Sequence, residues 1–258
     1  MLPLISVITP SYNQGKFIEL TIRSVIEQNY KKIEYIIVDG ASDDETISVL
    51  QKYRNHPRIK NIISEKDKGQ TDALIKGFNN TSGDILCWLN SDDMFVPGSL
   101  AKIAELFSLD SDIDVIVGNL MVVDSEGKEV GMWPRRFMSN SDWLSLPQAI
   151  GQPATFFTRR AFDTVGGLDP QFEYSMDYDL FMRFGIYGLK FRYIDDVLSY
   201  FRVHEESKTM MLPYKLWKDE FKVYRQNGGP LFSKFYYWKI RGILSTIIKS
   251  KLFRNRKW

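Results

Sequence analysis

Four short apolar runs, each ending in a cluster of polar residues, constrain the fold of this chain more than any other feature. The runs cover residues 4–9, 33–38, 59–64 and 85–89. The polar clusters that follow them occupy residues 10–13, 39–44, 65–70 and 90–93. Apolar residues in the intervening segments recur at helical spacing. This βαβαβαβ alternation predicts a parallel sheet with helices on its faces, and it places all four polar clusters at one edge of the sheet.

The fourth cluster is the most informative of these. An apolar run too short for a helix ends in Asn90, Ser91, Asp92 and Asp93. Open α/β sheets bind ligands at the carboxyl ends of their strands, so carboxylates at this point can hold a hard divalent cation together with a phosphate group. A solvated turn or the start of a helix has the same composition, and the cluster alone leaves these alternatives open.

Several motifs occur together in one order, and they carry a resemblance to a known family. They are Ser6–Asn13, Ser24–Tyr30, Glu34–Thr46, Trp88–Asp93, Gly166–Asp169 and Asp177–Leu180 with Arg183. Over about the first 205 residues the chain resembles the nucleotide-diphospho-sugar glycosyltransferases of family 2, which have the GT-A fold. The resemblance implies a Rossmann-like α/β fold with a mostly parallel central sheet flanked by helices. Residues 1–118 would form the nucleotide-sugar-binding half of a GT-A domain, residues 119–205 its acceptor half, and residues 206–258 a C-terminal helical extension.

The resemblance implies a divalent cation, Mg²⁺ or Mn²⁺, which would neutralise the charge of the departing nucleotide diphosphate. Asp92 is the expected metal ligand, and His204 would complete the metal shell or touch the diphosphate. Asn90 stands where relatives carry the first carboxylate of the motif, and Asn90 and Ser91 are expected to contact the nucleotide sugar. Asp93 would orient the site or contact the acceptor. A helix cap for Asp93 and an ordinary loop histidine for His204 are the alternatives.

The nucleotide is expected to bind between the first three polar clusters. By resemblance, Asp39 accepts the imide N–H of a uracil. Pro10, Tyr12 and Asn13 would line the other side of the nucleotide, although a tight turn has the same composition. Asp67, Lys68 and Asp72 match a third nucleotide-facing segment, in which Lys68 as a solvated surface lysine is the alternative. In the second cluster, Ser42-Asp43-Asp44-Glu45 has the form of a capping box and predicts the start of a helix.

The second half of the chain supplies the predicted acceptor chemistry. A helix is expected from about Ser175, and Asp177 in its first turn is the proposed general base, because a carboxylate can take the proton of an attacking hydroxyl. Met176 stands where relatives often carry an acidic residue, so the acceptor contact at Met176 is expected to differ. A structural role for Asp177 at the helix N-terminus is the alternative. Trp133 is a candidate for an acceptor-facing wall.

The charge of the chain is distributed unevenly. The chain has 34 Lys and Arg against 32 Asp and Glu, and after Glu220 it has ten basic residues and no acidic one, which leaves a net charge of −8 for residues 1–220. Apolar residues between Tyr236 and Leu252 recur at helical spacing beside basic ones. We expect the extension to be a basic amphipathic helix that contacts anionic lipid. A helix packed back on the body or against a partner protein is the alternative.

The sequence also indicates a compartment. Cys87 is the single cysteine and lies in an apolar run, which predicts a core side chain, no internal disulfide and a reducing environment. No apolar run reaches the ~20 residues needed to span a bilayer, and the first strand leaves no room for a secretory signal. We therefore expect a cytoplasmic protein, peripheral at the inner face of the cell membrane. The acidic body and the absence of a base-reading motif argue against a nucleic-acid partner.

Together these features predict an inverting, metal-dependent glycosyltransferase. It would move a sugar from a nucleotide diphosphate, with UDP as the expected nucleotide, to a polysaccharide or lipid-linked acceptor in cell-surface glycan synthesis. A sugar nucleotidylyltransferase is one alternative, but it would carry a Gly-rich phosphate loop after the first strand, and residues 10–13 contain none. A catalytically silent scaffold is the other, and the joint presence of Asp39, Asp92 and Asp177 argues against it.

Overall fold

The computed structural model describes residues 2–133, 143–144, 150–205, 213–231 and 233–241. The strands are β1 (Ile5–Ser11), β2 (Ile33–Asp39), β3 (Ile59–Ser64), β4 (Ile85–Trp88), β5 (Met94–Phe95), β6 (Val115–Val123), β7 (Glu129–Met132), β8 (Thr155–Thr158) and β9 (Phe191–Arg202). The helices are α1 (Ile18–Ile26), α2 (Thr46–Tyr53), α3 (Gln70–Asn79), α4 (Ser99–Leu109), α5 (Arg159–Thr164), α6 (Met176–Ile186) and α7 (Pro213–Gln226). A 3₁₀ turn covers Gln152–Ala154, and residues 234–241 are helical.

One sheet organises the domain, with strand order β3-β2-β1-β4-β8-β6-β9-β5 and β7 paired to β6. The first four strands are parallel, as the βαβαβαβ pattern predicts, and β6 and β9 are also parallel. The other pairs are antiparallel. Every residue of β1 and β2 is buried, which is typical of central parallel strands covered on both faces. The predicted α/β fold is confirmed.

Helices cover both faces of the sheet because strand side chains alternate between two cores. Ile5 and Val7 point to the core formed with α1, α2 and α4, whereas Ile8 points to the core formed with α3, α5 and α6. Cys87 is buried in the first of these cores, as predicted. Helix α3 approaches β1 closely at Gly77, where an added Cβ atom would lie 2.4 Å from Cγ2 of Ile8.

The first part of the predicted extension packs on the domain. Helix α7 and residues 234–241 form a third core with α6, in which the rings of Tyr224 and Phe235 stack at a centroid distance of 4.0 Å. For this part of the chain, the packed helix is therefore the alternative that the structure supports. Residues 242–258, which contain the rest of the apolar stripe and its basic end, lie outside the described residues. Among the described residues, no helix has the length and apolar character needed to cross a bilayer.

The predicted capping box at Ser42 is wrong. Helix α2 begins at Thr46, whose backbone N–H donates to Oδ1 of Asp44 at 2.9 Å. The Ser42 hydroxyl instead donates to the carboxylate of Asp39 at the end of β2. The helix predicted from about Ser175 is confirmed as α6.

Candidate functional site

A cavity of about 400 Å³ opens at the carboxyl ends of β1 and β4. It is lined by residues that the sequence analysis had assigned to the donor, the metal and the acceptor: Pro10, Tyr12, Asp67, Asn90, Ser91, Asp92, Met176 and Asp177. Residues far apart in the sequence therefore meet in one cavity. Its position agrees with the rule that α/β sheets bind ligands beyond the carboxyl ends of their strands.

Asp92 and His204 form the candidate metal site. Oδ2 of Asp92 lies 3.1 Å from Nε2 of His204, with the Asp92 side chain 21% exposed and the imidazole 5% exposed. The ring of His204 packs on Phe17 at a centroid distance of 4.7 Å. The described residues contain no group of three or more His, Cys, Asp or Glu side chains that could hold a metal ion. A site with one carboxylate and one imidazole fits Mg²⁺ or Mn²⁺ when phosphate oxygens supply further ligands.

Asp93 holds this part of the site in place from the interior. It is fully buried, and its carboxylate accepts hydrogen bonds from the backbone N–H of Arg202 at 3.0 Å and from Nδ2 of Asn90 at 3.3 Å. Burial and the neighbouring Asp92 raise the pKa of Asp93 well above its ordinary value. Asp93 therefore holds Asn90 and β9 in place and does not line the cavity, which supports the orienting role, and the acceptor contact considered for it stays a prediction.

A chain of amides positions Asn90. Oδ1 of Asn90 accepts a hydrogen bond from Nε2 of Gln70 at 2.8 Å, and its Nδ2 donates to Oε1 of Gln152 at 3.3 Å. Gln152 in turn donates to the carbonyl oxygen of Trp88 at 2.7 Å. Neither Gln70 nor Gln152 was predicted as a site residue. A polar side chain at the start of an apolar run, as at Gln152, is the signal that could have identified one of them.

Asp39 does not face the cavity in this structure. Its carboxylate is fully buried and accepts hydrogen bonds from the backbone N–H of Ser42 at 3.0 Å, from the Ser42 hydroxyl and from the Ser64 hydroxyl at 2.8 Å. Ala41, which lies between Asp39 and Ser42 in the chain, has a φ of 61°, an uncommon conformation for a residue with a Cβ atom. These hydroxyls occupy the oxygens that were expected to accept a uracil N–H, so the base contact of Asp39 stays a prediction.

Asn13, which was expected to contact the nucleotide, joins two loops instead. Its Nδ2 donates to Oδ1 of Asp43 at 2.9 Å, and its Oδ1 accepts from the backbone N–H of Asp43 at 3.1 Å. Asn13 has a φ of 51° and does not line the cavity. It therefore fixes the loop after β1 to the loop after β2.

The three residues of the third predicted segment have different environments. Asp67 lines the cavity, and its Oδ1 accepts a hydrogen bond from the N–H of Gly69 at 2.9 Å. Asp72 accepts from the N–H of Lys68 at 3.2 Å and pairs with Lys76 at 3.2 Å, so it holds the start of α3 in place. Lys68 is exposed outside the cavity, which supports the alternative of a surface lysine.

Asp177 lies in the first turn of α6, in the cavity wall beside Met176. Burial of the carboxylate, and next the negative charge of Glu220, raise its pKa to about 6 from an ordinary 3.8. A carboxylate with a pKa near neutrality is well suited to accept a proton at physiological pH. Trp133 is outside the cavity, and its ring contacts the cavity-lining Phe201 at a centroid distance of 5.4 Å.

Helix α7 forms part of the cavity wall, which was not predicted from the sequence. Leu216 of α7 lines the cavity, and Oδ2 of Asp219 accepts a hydrogen bond from the N–H of Tyr174 at 3.1 Å. Glu220 forms an ion pair with Lys239. Packing between distant segments created this wall, and no local motif in the sequence indicates it.

The chain is similar to known proteins in sequence and in fold. The family model described as Glycosyl transferase family 2 matches residues 6–165. Over 239 residues the chain is 28% identical to the chondroitin synthase of Escherichia coli, a match that covers 91% of this chain and 34% of that protein. The chain therefore spans about a third of the length of that relative.

Two solved structures have the same fold. The crystal structure of residues 1–349 of TarS from S. aureus in complex with UDP-GlcNAc has a TM-score of 0.71 and 19% identity, and covers 87% of this chain and 65% of that one. A mannosyltransferase from Pyrobaculum calidifontis in complex with GDP-Man and Mn²⁺ has a TM-score of 0.60 and 19% identity, and covers 80% of this chain and 59% of that one.

Proposed function

Because the chain belongs to glycosyl transferase family 2, and is therefore a glycosyltransferase with the GT-A fold, we propose that it transfers a sugar from UDP to a saccharide acceptor with inversion at the anomeric carbon. One observation carries the proposal. Asp92, which contacts His204, lines the same cavity as Asp177, whose raised pKa suits a general base. The family membership decides against the nucleotidylyltransferase alternative.

The donor end of the cavity contains groups that can assist the departure of the nucleotide diphosphate. Asp92 and His204 would hold a divalent cation, which when bound offsets the negative charge that develops on the diphosphate. Asp92 is itself held by the hydrogen bond from Nε of Arg202 to its carbonyl oxygen at 3.0 Å. Asp93 also holds Arg202 by accepting a hydrogen bond from its backbone N–H, so Asp92 is positioned before the donor binds.

The acceptor end of the cavity contains a group that can activate the attacking hydroxyl. An acceptor hydroxyl is a poor nucleophile until a base takes its proton, and Asp177 is the carboxylate of the acceptor half that lines the cavity in the first turn of α6. Attack from the side opposite the leaving diphosphate inverts the anomeric configuration. The apolar Met176 lies beside the base in the cavity wall.

We also propose that the acceptor is a growing polysaccharide or a lipid-linked saccharide, and that the protein works at the cytoplasmic surface of the membrane. The helix at 234–241 supports this location, because Tyr237, Trp238 and Ile240 are 61%, 46% and 50% exposed. The guanidinium of Arg241 lies 5.3 Å from the Trp238 ring centroid. Exposed aromatic and basic side chains on one helix are typical of contact with anionic lipid.

A donor panel tests the enzymatic proposal. The full chain is incubated with UDP-, GDP- and dTDP-sugars, each with Mn²⁺, with Mg²⁺ and with EDTA, and release of the nucleotide is followed. We expect cation-dependent turnover of a UDP-sugar that Asp92→Asn and Asp177→Asn remove, whereas Lys68→Ala, outside the cavity, retains it. Turnover that is equal in EDTA, or confined to GDP- or dTDP-sugars, would contradict the proposed metal or nucleotide.

Flotation with anionic vesicles tests the location. A variant with Tyr237, Trp238 and Ile240 changed to serine keeps the buried Phe235, so the third core is preserved. We expect the wild type to float with phosphatidylserine-containing vesicles and the triple variant to remain in the soluble fraction. Equal recovery of both proteins with the vesicles would rule out this helix as the membrane contact.

A further inference from the structure

Two polar atoms of the cavity wall have no hydrogen-bond partner. They are the hydroxyl oxygen of Ser11, a residue that is 5% exposed, and the amide oxygen Oε1 of Gln14, and both are buried. Both residues line the cavity. Buried polar atoms are nearly always paired, because an unpaired one loses its hydration without compensation. A bound ligand that supplies hydrogen-bond donors at these atoms would remove the penalty.

We propose that Ser11 and Gln14 bind the ribose hydroxyls of the donor nucleotide. The chemistry of Gln14 narrows the choice, because an amide oxygen only accepts hydrogen bonds. An ionised diphosphate has no proton to donate to it, whereas each ribose hydroxyl does. The hydroxyl of Ser11 can donate or accept, so it suits the second hydroxyl of the same ring. This assignment rests on the proposed function, since it takes the donor to be a nucleotide.

The position of Gln14 agrees with a ribose site. It follows Pro10 and Tyr12, which lie on the side expected for the base, and precedes Phe17, which contacts His204 on the side expected for the diphosphate. Ribose connects the base to the diphosphate in every nucleotide, so it must pass between these two sides. The backbone N–H of Gln14 donates to Oγ1 of Thr46 at 2.9 Å, which connects this loop to the start of α2.

The hydrogen bonds that Asn90 already makes within the protein strengthen the assignment. By resemblance, its position in the fourth polar cluster is the one expected to touch the ribose. Its amide oxygen already accepts from Gln70, and its amide nitrogen lies within hydrogen-bond distance of both Asp93 and Gln152. Asn90 is therefore held by the protein, whereas Ser11 and Gln14 carry the atoms that are unpaired.

Nucleotide binding in the presence of Mn²⁺ tests the proposal. UDP, 2′-deoxy-UDP and 3′-deoxy-UDP are titrated calorimetrically into the wild type, Gln14→Met and Ser11→Ala, with Gln51→Met on the exposed surface of α2 as the matched control. We expect the Gln14 variant to bind UDP about fivefold to tenfold more weakly, the loss of one hydrogen bond. In this variant the ratio of the affinity for UDP to the affinity for one of the deoxy analogues should fall toward one. Gln51→Met should bind all three nucleotides as the wild type does.

The outcomes separate the two proposals. Equal weakening of UDP and both deoxy analogues in Gln14→Met, or no weakening at all, would overturn the ribose assignment and leave the proposed function standing. A wild type that binds none of UDP, GDP and dTDP would overturn the proposed function and the ribose assignment with it.

Thermal unfolding without nucleotide provides a second readout that does not depend on donor binding. Methionine has nearly the shape of glutamine and removes the unpaired buried oxygen, so the melting temperature of Gln14→Met should rise by about 2–4 °C. A lower melting temperature would show that the amide is paired in the free protein, and the proposal would fail.

Discussion

Replacing Asp177 with asparagine is expected to stabilise the protein while it removes transfer activity. The wild-type carboxylate is held at a pKa of about 6, first by burial and then by Glu220. A general base typically contributes about 10²–10⁴ in rate, so transfer should fall by that factor. Asparagine has nearly the same shape and carries no charge, so the unfavourable burial of an ionised group disappears.

The size of the effect follows from the pKa. One pKa unit corresponds to about 1.4 kcal/mol, so raising the pKa of Asp177 from 3.8 to about 6 lowers the free energy of unfolding by up to about 3 kcal/mol once the group is ionised. The folded state holds its proton more tightly than the unfolded state. The contribution of Asp177 to the free energy of unfolding is therefore most favourable below pH 3.8, and it is lost as the pH rises from 3.8 to about 6. The advantage of Asp177→Asn should be about 3 kcal/mol at pH 8, roughly half of that at pH 5 and near zero at pH 3.

Urea unfolding of the wild type and the variant at pH 8, 6 and 5 measures this difference. Asp163→Asn is the matched control, because Asp163 is exposed on α5, and surface substitutions usually change stability by less than about 0.5 kcal/mol. A variant that is less stable than the wild type at pH 8, or an advantage that does not change with pH, would refute the reasoning. Either result would mean that Asp177 is better solvated or better paired than its surroundings indicate.

Three further perturbations test other parts of the site. Asp92→Asn should weaken Mn²⁺-dependent UDP binding by at least about tenfold in calorimetry, and unchanged binding would exclude Asp92 as a metal ligand. Glu220→Gln should move the acidic limb of the pH–rate profile to lower pH, because the charge of Glu220 raises the pKa of Asp177; an unmoved limb would contradict this coupling. Gly77→Ala should lower the free energy of unfolding by about 1–2 kcal/mol in urea, since the added methyl group would clash with Ile8, and an unchanged midpoint would show that α3 can move away from β1.

Much of the fold was predictable because local patterns report it directly. Runs that become strands and segments that become helices differ in the period of their apolar residues, and the polar clusters mark where the strands end. Those clusters predicted that Asn90 and Asp92 lie at the ligand-binding edge of the sheet, and the motif near Ser175 predicted that Asp177 lies in the first turn of a helix.

Other features depend on partners that are distant in the sequence. Asp39 carries the most specific of the predicted base contacts, yet its buried carboxylate accepts hydrogen bonds from the hydroxyl of Ser42 and from that of Ser64 at the end of β3. The amides of Gln70 in α3 and of Gln152 in the 3₁₀ turn meet at Asn90. A motif identifies residue types at a fixed spacing, but it does not tell which polar groups are already paired with one another.

The sequence by itself determined the α/β class, the family and the edge of the sheet at which the chemistry takes place, because periodicity and strand ends are local properties of the chain. Only the tertiary structure decided which polar atoms remain free for a ligand, how far the pKa of Asp177 rises, and that α7 completes the cavity. These depend on desolvation and on hydrogen bonds between segments far apart in the chain, and both arise only when the segments pack together.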